Sequence, residues 1–466
     1  MSSLFASLGI AREAILAQQF ALDVTQNNIA NVNTPGYSRQ RVTMVPGDPW
    51  MQVEYQLGAG VRIASIESYR SRFLDHRVND ELQLQGEFSS SSTTLQQVEA
   101  IFNENAGAGL QSAMTAFFNS FSTLANAPED ASLRVQVLAC GEDLGVQFRQ
   151  TYEQLQAVQS LQDAAIAETV GEINSITSAI ARLNVEVEAS RGANSNQSTL
   201  RDQRQQLIDR LGELTDIAYF ETESGSITVQ SRRGALLVVG NQSHAWEATQ
   251  STDGTFLEVH ADGVDITSKI QSGKLGGLIQ VRDRDLAAYL GALDGMAASI
   301  MARVNSQHSL GSDLNGVPGG DFFTPFVPLE PGSTRGAARS MQLAITDPAK
   351  IAAAGPTGGP GSNANAKLLA EIQNERMLSG GSADLDQFYA NLVFRIGLDT
   401  KTSLDSLETH LQLIAQLQNQ RDAASGVSLD DEAVNVMRYQ KAFEANARFL
   451  TIIDTLTEDL LRLIGG

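Results

Sequence analysis

Apolar positions recur at helical spacing at both ends of the chain. Leu4, Leu8, Ala11, Ile15, Gln18, Leu22, Thr25 and Ile29 alternate at steps of four and three, the seam of a coiled-coil-like helix. Near the other terminus Leu429, Ala433, Val436, Gln440, Phe443, Ala447, Leu450, Ile453, Leu456, Leu460 and Ile464 keep a similar stripe. Ser428-Leu429-Asp430-Asp431 opens that second helix as a capping box, with acids at the positive end of the dipole. Arg462 stands in its last turn and Gly465-Gly466 closes it. At 1.5 Å per residue these helices are roughly 40–55 Å long. Neither buries its stripe alone, so each needs the other or a neighbouring subunit.

Between them the pattern changes several times. Thr34-Pro35-Gly36 stops the first helix with turn residues. Residues 37–66 read as extended, with alternation at Gln52-Val53-Glu54-Tyr55 and a break at Gly58-Ala59-Gly60. From 67 to 215 the text is helical, broken at Ala106-Gly107-Ala108-Gly109, Ala127-Pro128-Glu129-Asp130 and Arg191-Gly192-Ala193-Asn194. Period two takes over across 216–273, as in Ile227-Thr228-Val229-Gln230 and Leu257-Glu258-Val259-His260, with turns at Asp253-Gly254 and Asp262-Gly263. Helix returns at 280–308, then 311–362 is rich in Gly and Pro around a strand-like Met341–Thr346, and helix resumes at 363–377 and 383–423. The expected fold is mainly α with a β insertion, an elongated and discontinuous multidomain chain with paired terminal helices. Residues 1–36 with 427–466 form the terminal helical domain. Residues 37–215 with 277–310 and 363–426 form a helical rod, and 216–276 with 311–362 form a small β-rich outer domain.

At 466 residues the chain needs more than one core. Its 33 basic and 54 acidic side chains give a net charge of −21, which repels nucleic-acid phosphates and anionic lipid. Residues 1–60 carry −1, residues 426–466 carry −3, and the middle carries the remaining −17. Nearly neutral ends and an acidic body suit a chain whose ends are buried in an assembly. The pairs Arg232-Arg233 and Arg282/Arg284 read as solvated faces. Cys140 is the only cysteine, so no internal disulfide forms, and its neighbours make it a packed helix residue. The start lacks a basic, apolar leader and no run of eighteen apolar residues spans a membrane.

Catalytic patterns are missing. His76, His244, His260, His308 and His410 stand apart, without HExxH or a cysteine cluster. There is no GxSxG elbow and no Walker A loop, and Asp313-Leu314-Asn315-Gly316 reads as a turn, since the other calcium ligands are missing. No metal or cofactor is expected, and no enzyme activity.

The stretch Asn27-Asn28-Ile29-Ala30-Asn31-Val32-Asn33-Thr34-Pro35-Gly36-Tyr37 resembles the N-terminal signature of flagellar rod, hook and hook-associated proteins. Its continuation Ser38-Arg39-Gln40 is similar to the version in the hook-associated protein 1 (FlgK) family. So are Gly109–Ser112 leading to Phe117–Phe121, Asp202-Gln203-Arg204 within 200–211, and Ser425–Ala433 followed by Tyr439–Phe443 and Ala447-Arg448. Residues 311–362 carry the weakest likeness, and an additional outer domain found in longer relatives is expected to be absent there.

The resemblance implies a structural subunit at the junction of hook and filament, extracellular on the flagellum and exported by the flagellar type III route without a cleaved signal. It implies assembly with further copies of itself, contact with the hook protein and the third hook-associated protein, with the filament cap during assembly, and a cytosolic export chaperone at the C-terminal region. The assembly residues it implies are Leu4, Leu8, Ile15, Leu22, Ile29, Asn31, Asn33, Pro35, Gly36 and Tyr37 at one end. At the other they are Leu429, Phe443, Leu450, Ile453, Leu456 and Leu460. The alternatives are a hook or distal rod subunit, a wall hydrolase built on Glu221, Glu223 and Asp253, or an adhesin.

Overall fold

The computed structural model describes residues 2–34, 36–47, 50–51, 56–58, 60–103, 109–190, 197–252 and 254–464. Pro35, the Gln52–Tyr55 alternation, Ala59, the breaks at 106–108 and 191–194, Asp253, Gly465-Gly466 and the side chains of Leu460 and Ile464 lie outside the described residues.

Helix α1 (Ser2–Ala30) leads into an antiparallel pair, β1 (Gln40–Pro46) with β4 (Val61–Ser68), and a short hairpin, β2 (Trp50–Met51) with β3 (Gln56–Leu57), lies between them. Four helices follow: α2 (Arg72–Phe102), α3 (Leu110–Leu124), α4 (Ala131–Ala189) and α5 (Gln197–Leu214). Asp130 caps α4, accepting from the amides of Ser132 (2.7 Å) and Leu133 (3.3 Å), so the Pro-Glu-Asp break is where the sequence puts it. With 59 residues, α4 runs about 90 Å and serves two cores in turn.

Its first half joins α3, α7 (Leu286–Ser309), α9 (Ala364–Glu371) and the start of α10 (Leu385–Ser425). Phe117, Phe118, Phe121, Phe322 and Phe323 pack tilted or edge-on at the centre, with ring centroids 5.0–5.7 Å apart. Its second half carries Ile166, Val170, Ile173 and Ile180 under two small sheets. One has the order β5 (Ile217–Glu221), β6 (Ile227–Ser231), β7 (Leu236–Val239), β8 (Gln242–Ser243). The other sets β10 (Leu257–Ala261) between β9 (Trp246–Gln250) and β11 (Val264–Asp265), and all the pairings are antiparallel. Two asparagines of α4 secure these sheets. Asn174 bonds both the amide (2.9 Å) and carbonyl (2.8 Å) of Trp246. Asn184 does the same for Ile227 at 3.0 and 2.8 Å.

Helix α6 (Gly273–Gln280) crosses α2 at close range. A Cβ on Gly86 would lie 2.0 Å from the Glu213 carbonyl oxygen, and one on Gly277 would lie 2.4 Å from that of Glu87. These glycines therefore set the separation of α2 from the chain beside it.

Three expectations need correction. Arg282 is not on a solvated face: it is 2% exposed, inside a π-helical turn over Val281–Asp285. Its guanidinium donates to Asp163 (2.6 Å), the Leu257 carbonyl (2.7 Å) and Asp283 (2.6 Å), and it lies over the Phe256 ring. Charged neighbours made it look solvated, whereas they are the partners that let it be buried. Met341–Thr346 forms no strand, only an isolated bridge between Leu343 and Phe323. Residues 311–362 place their buried side chains elsewhere than expected: Phe322, Phe323, Met341, Ile351 and Ala353 belong to the α3/α4/α7 core and not to the one beneath the sheets of 216–276. That segment includes the short α8 (Ala337–Ser340). Asp313 behaves as the expected turn residue, accepting from Asn315 and Val317 amides at 2.8 Å each, with Gly316 at φ +76°.

Burial pushes several carboxyls upward, among them Glu87 to about 7 and Asp209 and Asp216 to about 6. An unfolded carboxyl titrates near about 4, so between those values the folded chain holds protons that the unfolded chain has released. Stability must then fall as pH rises through that window. Thermal unfolding followed from pH 7.5 to 5.0 is expected to move to higher temperature on acidification, and Glu87→Gln to flatten the upper part of that rise. A midpoint that falls over the same range would contradict it.

Candidate functional site: the joint between terminal helices and rod

Helix α11 (Leu429–Ile464) begins where α1 ends and runs back along it. Small residues let the two approach. Ala11, Ala17, Ala21, Val24, Thr25 and Asn28 are the buried positions of α1, and Ala21 and Val24 meet Val42 of β1, with Tyr439 of α11 packed against them. The larger Leu4, Leu8, Ile15, Leu22 and Ile29 are half-buried beside this stripe.

Asn28 is a buried amide on that stripe, and it organises the turn that follows. Its Oδ1 accepts from the Gln40 amide (3.0 Å) and the Tyr37 hydroxyl (2.9 Å), while Nδ2 donates to the Gln40 carbonyl (2.8 Å). The side chain thus pairs with β1 as a neighbouring strand would. Asn31 donates to the Asn27 carbonyl (2.9 Å) and accepts from Thr34 (3.2 Å), whereas Asn33 is exposed. Gly36 adopts φ +76°, and a Cβ there would lie 2.8 Å from Nε2 of Gln206. The left-handed φ is what calls for glycine, since the exposed end of the Gln206 side chain can move aside. The Tyr37 hydroxyl is pushed up to about 12, first by burial and then by the carboxylates of Asp202 and Glu432. It therefore stays protonated and keeps donating to Asn28.

The next two residues fasten the helices to the rod. Ser38 gives its amide (3.0 Å) and hydroxyl (2.9 Å) to the two oxygens of Asp202 on α5. Arg70 lies 3.7 Å from the same carboxylate and 3.2 Å from Asp75. Burial raises the Asp202 carboxyl and the bonds from Ser38 oppose that rise. Arg39 turns the other way. Its Nε donates to Glu432 (2.7 Å), its Nη1 reaches Asp431 (3.4 Å), and its amide donates to the Ser425 carbonyl (2.9 Å). Glu432 is 1% exposed, and Ser428 caps α11 by accepting from the Asp431 amide at 3.3 Å. Three segments far apart in sequence, 27–40, 200–211 and 425–433, therefore meet within a few residues. Sequence reasoning named Asn31, Asn33, Gly36 and Tyr37 as assembly residues; Asn28, Ser38, Asp202 and Glu432 fell within its quoted signatures but were given no role and not paired. The available signal was a polar Asn one heptad after Ala21 on a small-residue face.

The C-terminal set is divided. Ile453 is 4% exposed, buried where α11 lies on α1, and Phe443 and Leu450 are half-buried. Leu456 and Leu429 are 49% and 52% exposed. Leu456 belongs instead to a second apolar face with Val434, Met437, Phe449 and Ile452, all exposed. Among the described residues no cluster of three or more metal-ligating side chains occurs, and no helix is long and apolar enough to cross a membrane. Glu221, named for hydrolysis, is engaged by Arg72, Arg201 and Arg204 at 3.1–3.5 Å.

Hydrogen bonds to a charged partner contribute about 1.5–3 kcal/mol each. Ser38→Ala and Asp202→Ala are each expected to lose an amount of that order in denaturant unfolding. Because they share one contact, the double variant should lose less than the sum; strict additivity would show the pair to be uncoupled.

Comparison with known proteins bears on the whole chain. The model for the flagellar hook-associated protein FlgK helical domain matches residues 95–323. The models for the flagella basal body rod protein and the flagellar basal body rod FlgEFG protein C-terminal match residues 8–37 and 418–463, the two sides of the terminal pair. Flagellar hook-associated protein 1 of Bacillus subtilis is 30% identical over 100% of this chain and 99% of its own length. The Escherichia coli protein of that name is 26% identical over 99% of this chain and all of its own. The fold is similar to that of the flagellar hook junction protein FlgK from Burkholderia pseudomallei, with a TM-score of 0.67 at 18% identity over 75% of this chain and all of that one. With terminal helices, joint and helical core matched in one order along its full length, the chain belongs to the flagellar hook-associated protein 1 family.

Proposed function

We propose that this chain is a structural subunit of the bacterial flagellum that forms the junction between hook and filament and assembles through its terminal helices. The observation that carries this reading is the end-to-end similarity to hook-associated protein 1. The second apolar face of α11 supports it. Val434, Met437, Phe449, Ile452 and Leu456 project from one side of a helix whose other side already rests on α1. A soluble chain of net charge −21 gains little from such a face unless a neighbour covers it, at roughly 25 cal/mol per square ångström.

On this reading Leu429, Leu456 and Leu460 bury area on assembly, with Phe443, Leu450 and Ile453 setting the seat of α11 on α1. On the N-terminal side Leu4, Leu8, Ile15, Leu22 and Ile29, followed by the turn at Asn31, Asn33, Pro35, Gly36 and Tyr37, present α1 to adjacent subunits. The neighbours are further copies of the chain, the hook protein on one side and the third hook-associated protein on the other, with the filament cap present during assembly. The chain reaches them through the flagellar type III export channel without a cleaved signal, its C-terminal helix held by a cytosolic chaperone. Its role is mechanical, and no catalytic step is assigned to it.

The test is a clean deletion, complemented with the wild-type chain or with Leu456→Asp. Electron microscopy of the deletion should show hooks without filaments, with unpolymerised flagellin in the medium. Missing hooks would indicate a hook or rod subunit, and intact filaments would refute the structural role. Leu456→Asp should leave thermal unfolding of the middle domains unchanged and fail to restore filaments; full restoration would remove the exposed face from the assembly surface.

A further inference from the structure

The charges of the terminal pair are few, and they match in level. Helix α1 carries Arg12, Glu13 and Asp23, and the stretch of α11 from 438 to 448 carries Arg438, Lys441, Glu444 and Arg448. Those two sets sum to −1 and +2, in a chain whose total is −21. Ala21, Val24 and Thr25 share a cavity of about 190 Å³ with Asn435, Arg438 and Tyr439, which places Asp23 level with Arg438. The helices run antiparallel, so ten residues further along each, from 23 to 13 and from 438 to 448, Glu13 comes level with Arg448. Between these points Leu16, 47% exposed, is level with the small and exposed Ala445.

Neither pairing is made within one chain. Asp23 and Glu13 are exposed, although Val24 and Thr25 beside Asp23 are buried. Arg438 and Arg448 are exposed as well, on the side of α11 that carries Val434, Phe449 and Ile452. Among the described residues none of these four charges has an ion-pair or hydrogen-bond partner. Glu432, the carboxylate in the cavity, is held by Arg39 at 2.7 Å, and Glu444 makes no ion pair with the Arg448 that follows it by one turn.

Dispersion contacts have little directional preference, so the second apolar face of α11 does not by itself settle how far a neighbour sits along it. Complementary charges fix register and exclude mismatched neighbours more than they add affinity. Copies arranged about an axis that runs alongside the terminal pair keep their levels. The outer side of α1 in one copy then meets the second face of α11 in the next, with acid opposite arginine at two heights.

We infer that Asp23 and Glu13 of one copy form ion pairs with Arg438 and Arg448 of the adjacent copy, and that these pairs set the axial register of the terminal helices. The inference rests on the reading of the chain as an assembling flagellar subunit. It adds the surface of α1 that covers α11 and the level at which it docks.

Charge reversal in the complemented deletion tests it, with the content of this chain in isolated flagella as the readout. Arg438→Glu and Asp23→Arg each set like charges face to face and are expected to lower that content about tenfold. The double variant restores opposite charges and should return it to the wild-type level. Both positions are exposed, so the thermal midpoints of the purified variants should stay unchanged. Single variants that incorporate normally would overturn the pairing, and so would a double variant as poor as the singles. Asp23→Cys with Arg438→Cys, in a Cys140→Ala background, should give a ladder at multiples of the 50.0 kDa chain when the flagella are treated with a bismaleimide. Monomers alone, from flagella that contain the chain, would also overturn it and leave the subunit reading standing. Absence of the wild-type chain from those flagella would instead remove the subunit reading, and the pairing with it.

Discussion

The two ends of this chain must lie side by side, and the Ser38–Arg39 dipeptide makes that arrangement hold. Helices α1 and α11 are each amphipathic and individually too poor in buried surface to persist alone. Packing them together solves only part of the problem, since the pair would still be tethered to the rod by a loose turn. Ser38 bonds Asp202 with its amide and hydroxyl, and Arg39 bonds Glu432 and the Ser425 carbonyl. Consecutive residues thus grip α5 on one side and the start of α11 on the other. The direction in which the terminal pair leaves the rod follows from those contacts. The small-residue face of α1 and the left-handed Gly36 are both needed for them to form.

Polarity at this joint is consistent with a part that must keep a defined geometry without becoming a core. An apolar joint would be tolerant of sliding, since dispersion contacts have little directional preference. Here nearly every contact is a directed hydrogen bond or ion pair with a buried partner, and a displaced partner would leave a charge stranded. Asp202 and Glu432 are both almost fully buried and each is matched by an amide, a hydroxyl or a guanidinium. The same device recurs where the β insertion meets the rod: Arg282 binds Asp163 and the Leu257 carbonyl, and Asn174 and Asn184 bond the backbone of the sheets. At both places long helices are indexed against their neighbours by buried polar side chains.

This explains which features were legible in the sequence. Period three-four and period two are strong where one face is dry, so the terminal helices, the helical block and the strands of 217–265 could be read directly. Capping at Asp130 and Ser428 depends on neighbours within three residues and was equally visible. Residues 311–362 were misread because proline, glycine and an apolar alternation suggest a surface strand. Their order comes instead from Asn305, Asp294 and His308 on the preceding helix α7, which accept from amides 17 to 44 residues further along the chain. Arg282 was misread for a similar reason: Asp283 beside it is one partner, but the Asp163 carboxylate and the Leu257 carbonyl that complete its burial lie 119 and 25 residues away, beyond the reach of any local pattern. At the joint, similarity to known signatures marked the right segments, but not the contacts of Asn28, Asp202 and Glu432 that connect them.

The stripe of α11 shows where periodicity alone is insufficient for function. A single seam from Leu429 to Ile464 treats every apolar position as equivalent, yet the helix has two unlike faces. Tyr439, Phe443, Leu450 and Ile453 lie toward α1, whereas Val434, Met437, Phe449, Ile452 and Leu456 are left open. Successive residues on a helix are separated by about 100°, so Ile452 and Ile453 lie on different faces, one exposed and one buried, although they are adjacent in sequence. A helix satisfied on one side by its own chain and unsatisfied on the other is suited to a subunit that folds first and is buried further on assembly. The charge that keeps copies of such a subunit apart lies mostly on its acidic body, and the nearly neutral ends carry little of it.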